Sequence, residues 1–173
     1  MKSSTKFIGF ILIAFLWLPV LAQTQDTGFK FTTVNDIKTT PVKDQQRTGT
    51  CWSFATTSFV ETELLRMNKG EFDLSEMYFA RYAYAGKAER YVRRSGTANF
   101  GEGGQAHDVL NVIRQHGFVT QEAYTGLAAE PIHNHAELDA ALKAYLDVVI
   151  KKKDGHITSV WKEVFNDMLD HFI

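Results

Sequence analysis

Thr39-Thr40-Pro41-Val42-Lys43-Asp44-Gln45-Gln46-Arg47-Thr48-Gly49-Thr50-Cys51-Trp52-Ser53-Phe54-Ala55 decides how this chain is read, and it holds the only cysteine among the 173 residues. Pro41 opens a loop, and the residues after Cys51 run without proline or glycine as far as Gly70. The cysteine therefore stands where a loop becomes a helix. A thiol attacks an amide as thiolate, and the unpaired N–H groups and macrodipole of a helix N-terminus favour that anion. A histidine partner would complete the activation and later protonate the leaving amine. The tetrahedral intermediate also needs hydrogen-bond donors, which a glutamine side-chain amide and the nucleophile's own N–H can supply. Gln45, six residues before Cys51, and Gly49, which permits a close approach of backbone, fit those parts. The common fate of a free cysteine is a small buried hydrophobe. Gln45, Gly49, Trp52 and the helix start favour the nucleophile instead.

Downstream the apolar pattern is helical. Phe54, Phe59, Val60, Leu64, Leu65 and Met67 form a stripe that predicts a helix over about 51–68, with Thr50 as N-cap and Gly70 as stop. A second helix is expected over about 75–85, opened by Asp73 and Glu76 at capping-box spacing. Gly86, Gly96, Gly101, Gly103 and Gly104 mark 85–104 as a loop. A third helix is expected over about 105–115, with Val109, Leu110, Val112 and Ile113 inward and Gly117 ending it. Two further amphipathic patterns cover 136–152 (Leu138, Leu142, Tyr145, Leu146, Val149, Ile150) and 158–172 (Val160, Trp161, Val164, Phe165, Met168, Leu169). They read as an inserted or appended helical subdomain. No hairpin pair or internal repeat is visible.

Residues 1–22 read as an export signal. Lys2 and Lys6 give a positive start, 7–18 is an apolar run short for a membrane span, and Val20-Leu21-Ala22 suits cleavage after Ala22. The expectation is a periplasmic or secreted protein with no stable membrane anchor after cleavage. Residues 23–40, with Phe29, Phe31, Val34 and Ile37, read as an extended segment laid over the domain. A 45% hydrophobic content excludes a disordered chain, and a net charge of −1 gives no electrostatic case for nucleic acid or anionic membrane. A single cysteine cannot form an internal disulfide.

The cysteine segment resembles the active-site motif of the papain family of cysteine peptidases, whose local signature is Cys-Gly-Ser/Ala-Cys-Trp/Tyr. Here it is Thr48-Gly49-Thr50-Cys51-Trp52. Thr48 replaces a cysteine that is normally in a disulfide, which departs from the papain and cathepsin branch and agrees with the bleomycin hydrolase and aminopeptidase C branch. Leu74-Ser75-Glu76 is similar to the segment that opens the next helix in these enzymes. Gly103-Gly104-Gln105, followed by a helix and Gly117, resembles their substrate-cleft turn. The likeness covers about 30–127, and the helices beyond resemble that branch's inserted helices.

The resemblance implies an α+β papain-like fold. The part present would be the signal 1–22, the helical half 23–127 and a helical insertion 128–173. It implies Cys51 and Gln45 as catalytic, and Gly103, Gly104 and Trp52 as substrate-binding. A peptide substrate, aminopeptidase action, no cofactor and a homo-oligomer are implied too. The family's catalytic histidine and asparagine lie about 130–150 residues after the cysteine, beyond Ile173, in a β-rich half. The chain is therefore expected to be the N-terminal part of a larger enzyme, weakly active or inactive alone.

The remaining signals are read as structural. His107, His116, His133, His135, His156 and His171 are taken as non-catalytic. His133, His135 and Glu137 read as a solvated polar loop, with no metal site. Lys87, Arg90, Arg93 and Arg94 read as a solvated basic loop, with no nucleic-acid partner. Tyr78, Phe79, Tyr82, Tyr84 and Tyr91 read as helix packing. The competing reading of the whole chain is a non-catalytic secreted interaction domain.

Overall fold

A computed structural model describes residues 28–128, 131–152 and 155–173. The expected export signal lies outside the described residues. Two units are distinguished, Met1–Asp36 and Ile37–Ile173. The described part of the first, 28–36, has no regular secondary structure. The second contains α1 (Cys51–Arg66), α2 (Glu76–Arg93), α3 (Ala106–His116), α4 (Ala136–Ile150) and α5 (Val160–Phe172). Among the described residues there is no strand, only isolated bridges between Arg47 and Asn134 and between Leu74 and Thr120. No described helix is long and apolar enough to cross a membrane.

Helix α2 is the hub, touching each of the other four. It starts at Ser75, whose hydroxyl accepts from the Tyr78 N–H at 3.0 Å. The expected capping box of Asp73 and Glu76 does not form, because both carboxylates turn to Lys43 Nζ, at 2.5 and 2.7 Å. The helix also runs eight residues past its expected end at 85, through Gly86 to Arg93. One interior glycine costs about 1 kcal/mol relative to alanine. Burial of Phe79, Ala80, Ala83, Tyr84, Ala88 and Tyr91 outweighs that, since one large apolar side chain contributes roughly 1.5–3 kcal/mol. The expected basic loop is thus the last turns of α2, and Lys87 within it is buried.

Helix α1 buries a different face from the one its apolar stripe predicts. Phe59 is 61% exposed and Met67 is also exposed, whereas Ser53, Thr56, Thr57 and Glu61 are buried. Most of these polar groups are satisfied. Ser53 Oγ donates to the Glu76 carbonyl at 2.8 Å and Thr56 Oγ1 to the Trp52 carbonyl at 2.7 Å. Glu61 accepts from Thr40 Oγ1 at 2.6 Å and from the Leu74 N–H at 2.7 Å. Buried polar groups that find such partners avoid the desolvation penalty that otherwise keeps them outside.

Helix α3 opens on Gln105, whose N–H donates to Asp108 Oδ2 at 3.0 Å, and ends at Gly117 with φ 78°. Leu110, expected inward, is exposed, while Val109 and Val112 are buried. Leu138, Leu142 and Leu146 of α4, and Trp161, Phe165 and Leu169 of α5, lie at i, i+4, i+8 and are buried. Both stripes enter the core that α2 occupies. Phe100 bridges α2 and α5, with ring centroids 6.2 Å from Tyr91 and 5.9 Å from Phe165. The helices on either side of residue 127 share this core.

Candidate active site

Cys51 is the first residue of α1, free and exposed. Its neighbour Trp52 is buried, only 6% exposed. Consecutive helical residues diverge by about 100°, so the same helix start presents the thiol outward and anchors the indole inward.

The loop before Cys51 is tightly tied. Gln45 Nε2 donates to the Thr48 carbonyl at 2.5 Å, and Thr48 Oγ1 to the Gln45 carbonyl at 3.0 Å. Thr48 is buried and its hydroxyl lies 2.5 Å from that of Thr50. Thr50 is the N-cap residue, yet its side chain makes no cap hydrogen bond. The chain reverses at Gln46, a non-glycine residue at φ 58°, a left-handed conformation that is uncommon outside glycine. External bonds hold it there: Gln46 Oε1 accepts from the His133 N–H, and Arg47 pairs with the 133–135 segment through N–H to the His133 carbonyl and carbonyl to the His135 N–H, both 3.1 Å.

The glycine turn lies against the other side of this loop. Trp52 Nε1 donates to the Glu102 carbonyl at 2.9 Å, and the Glu102 carboxylate accepts from the Gly49 N–H. A Cβ on Gly104 would sit 2.6 Å from Trp52 Cδ2 and Cε2, so the indole floors the turn. Gly103 has open space where its Cβ would be. Lys87 supports the turn from within. Its ammonium donates to the Gly103 carbonyl, reaches the Gly101 carbonyl at 3.4 Å and lies 5.0 Å from the Trp52 ring centroid. Burial pushes the Lys87 ammonium below the usual lysine range, and Asp108 partly offsets that. The carbonyls of 101, 102 and 103 are thus occupied. No hydrogen bond among the described residues occupies the Gly104 N–H or carbonyl.

Of the expected site residues, the structure brings Gln45, Cys51 and Trp52 onto one loop–helix junction, and Gly103 and Gly104 onto the turn above Trp52. Trp52 acts there as a buried support. Glu102 and Lys87 were not anticipated. The signals for them were position: Glu102 directly precedes the glycine pair, and Lys87 shares the i, i+4 face of Tyr84, Ala88 and Tyr91.

Five of the six histidines make side-chain contacts or are buried. His107 faces Asp108 at 3.6 Å, His116 stacks on Tyr82 with centroids 4.2 Å apart, and His171 Nδ1 lies 2.7 Å from the Asp167 carbonyl. His133 and His135, expected in solvent, are buried, because their segment pairs with Arg47. His135 Nδ1 lies 3.3 Å from the Tyr84 hydroxyl. Burial lowers His135 to about 4, with nearby His133 adding to the effect. Glu137 is exposed, and no described group of three or more His, Cys, Asp or Glu is placed to hold a metal.

A cavity of about 610 Å³ lies beside Lys43, Phe54, Glu61, Glu76, Met77 and His133, and none of Gln45, Cys51, Gly103 or Gly104 lines it. Inside this region Lys43 meets three carboxylates, Asp73, Glu76 and Glu61, at 2.5, 2.7 and 3.4 Å. Burial alone would lower its ammonium, but the hydrogen bonds to Asp73 and Glu76 raise it overall. The cluster joins the loop before Cys51 to α1 and α2.

The described residues thus form a helical scaffold with one exposed thiol at a helix start, a glutamine-bearing loop before it and a glycine turn beside it. The profile described as papain family cysteine protease matches residues 29–166, and the chain belongs to that family. It is 30% identical over 122 residues to Cysteine proteinase 1, mitochondrial, of Saccharomyces cerevisiae, covering 61% of this chain and 25% of the yeast protein. It is 29% identical over 132 residues to Cysteine proteinase 2 of Dictyostelium discoideum, covering 73% of this chain and 31% of that protein. The chain thus spans a quarter to a third of the relatives it matches. Its helical architecture fits the helical part of the papain-like fold.

Proposed function

We propose that this chain supplies the nucleophile and oxyanion donors for thiol-dependent hydrolysis of peptide bonds, of aminopeptidase type. The observation that supports this most directly is the exposed Cys51 at the first position of α1, bonded through its loop to the Gly103-Gly104 turn. Cys51 Sγ attacks the scissile carbonyl carbon. The resulting oxyanion takes the Cys51 N–H and the Gln45 amide. Gln45 uses one amide hydrogen on the Thr48 carbonyl, which leaves the second for substrate. The C–N bond then breaks, the amine leaves with a proton, and a thioester remains. Water hydrolyses the thioester, releasing the acid and restoring the thiol. An extended peptide would pair with the N–H and carbonyl of Gly104 while it reacts.

Proton transfer calls for a base. None of His107, His116, His133, His135 and His171 is hydrogen-bonded to Cys51 among the described residues, so turnover by this chain alone is expected to be low. The aminopeptidase preference rests on the likeness of Thr48 and Gly103-Gly104-Gln105 to the bleomycin hydrolase branch. Export rests on the character of residues 1–22.

An activated ester bypasses the need for a proton donor to the leaving group. Purified protein incubated with an aminoacyl p-nitrophenyl ester is expected to gain one acyl mass on Cys51. The reaction should outpace that of free N-acetylcysteine at the same pH by at least tenfold and should favour a free over a blocked amino terminus. A rate equal to that of the free thiol, or an adduct surviving Cys51→Ala, would overturn the peptidase reading and favour a non-catalytic interaction domain.

A further inference from the structure

Glu102 touches both halves of the candidate site, and each contact comes from a different part of the residue. Its carboxylate accepts from the Gly49 N–H, two residues before the nucleophile. Its carbonyl accepts from Trp52 Nε1, one residue after the nucleophile, at 2.9 Å. Gly49 is tailored to this contact, since a Cβ there would lie 2.8 Å from Glu102 Cβ and 2.9 Å from Oε2. Glu102 also begins the stretch whose next two residues are Gly103 and Gly104. One residue thereby fixes the oxyanion loop, the nucleophile's helix start and the glycine turn to one another.

The rest of the local structure makes that link matter. The turn is made of 101–104, three of whose residues are glycine, and glycine loses the most conformational freedom on ordering. Lys87 holds the turn from the inside by the Gly101 and Gly103 carbonyls. Its bonds orient the turn against Trp52 but do not reach the loop at 45–49. The far side of that loop is held by 133–135. Among the described residues, the Glu102 carboxylate reaches across the gap between turn and loop. A carboxylate on a backbone N–H is a charge-assisted bond, stronger and shorter than a neutral one.

We propose that Glu102 is a positioning residue of the peptidase site. It sets the distance between the oxyanion donors at Gln45 and Cys51 and the peptide-pairing backbone of Gly104. A bound acyl group must meet both at once, and small errors in such placement are costly in rate. This role rests on the peptidase reading above, and the test separates the two.

The lone cysteine makes alkylation site-specific. Second-order labelling rates are measured on the purified full chain with iodoacetamide, which contacts only the thiol, and with a peptidyl epoxide, which must also pair with the turn. In the unaltered protein the peptidyl probe is expected to react at least tenfold faster. Glu102→Ala is expected to lower the peptidyl rate about tenfold or more while changing the iodoacetamide rate less than threefold. Glu102→Gln keeps an acceptor oxygen and the side-chain length, so it should fall between the two and fold where alanine does not. Full retention of the peptidyl rate in Glu102→Gln and Glu102→Ala, or an equal loss with both probes, overturns the positioning role alone. No preference for the peptidyl probe in the unaltered protein overturns the peptidase reading, and the role of Glu102 falls with it.

Discussion

Two adjacent glycines, Gly103 and Gly104, stand in the same turn and have opposite tolerances. A methyl group on Gly103 enters open space, while one on Gly104 meets the Trp52 indole at 2.6 Å. That indole cannot swing away freely, because it is buried and its Nε1 is bound to the Glu102 carbonyl. Overpacking of this kind costs about 1–3 kcal/mol. Gly104→Ala is expected to lower Tm by roughly 3–8 °C and Gly103→Ala by less than 2 °C, measured by thermal unfolding. Equal melting temperatures would show that Trp52 does not floor the turn. At this scale the cysteine motif was legible because it is local: Gln45, Gly49, Cys51 and Trp52 fall within eight residues. Glu102 was not, since its contact with Gly49 spans 53 positions, and its place before the glycine pair does not say which distant N–H it accepts from.

Helix α2 carries the clearest departure of element from expectation. Gly86 was a reasonable break, but the face formed by Phe79, Ala83, Tyr84, Lys87, Ala88 and Tyr91 continues through it. Its Cβ position is open, with nothing within 4 Å and no positive φ. Gly86→Ala should therefore stabilise the protein by about 0.5–1 kcal/mol, through reduced freedom of the unfolded chain and better helix propensity. A rise of roughly 1–4 °C in Tm is the expected result; a fall would mean that the helix does not run straight through this position. Helix α1 shows why periodicity alone misjudges a face. Its apolar residues exceed its buried ones, and the buried set includes Ser53, Thr56 and Glu61, whose partners come from Glu76, from the preceding turn, and from Thr40 and Leu74. A sequence window around α1 contains none of those distant partners. The amphipathic patterns of α4 and α5 were legible, because each stripe is apolar and faces one core.

Across the whole molecule, the 133–135 segment joins the long-range packing to the site loop, and it does so with two buried histidines. The polar surroundings Asn134 and Glu137 suggested solvent; the pairing with Arg47 and the contact with Tyr84 put the rings inside instead. His135 is 1% exposed, and its Nε2 has no hydrogen-bond partner among the described residues. A proton placed there would be a buried charge, which is why burial holds the ring at about 4, below its ordinary 6.5. His133 is lowered too, by burial against a weaker opposing bond from the Gly126 backbone. The folded state therefore binds fewer protons than the unfolded chain between those two values. Stability is fully present above about pH 6.5 and is lost as pH falls toward 4, at a slope of ~1.4 kcal/mol per pH unit for one proton. Glu76, beside Lys43, acts differently. Burial raises Glu76 against the pull of Lys43, so its own contribution grows, rather than shrinks, as pH falls toward its ordinary range. His135→Phe keeps the ring volume and removes the titrating group. Urea unfolding from pH 7 to pH 4 should give a shallower loss of stability for His135→Phe than for the unaltered protein, even where the variant is less stable at pH 7. Parallel curves would mean that His135 is reached by water and protonates as freely folded as unfolded.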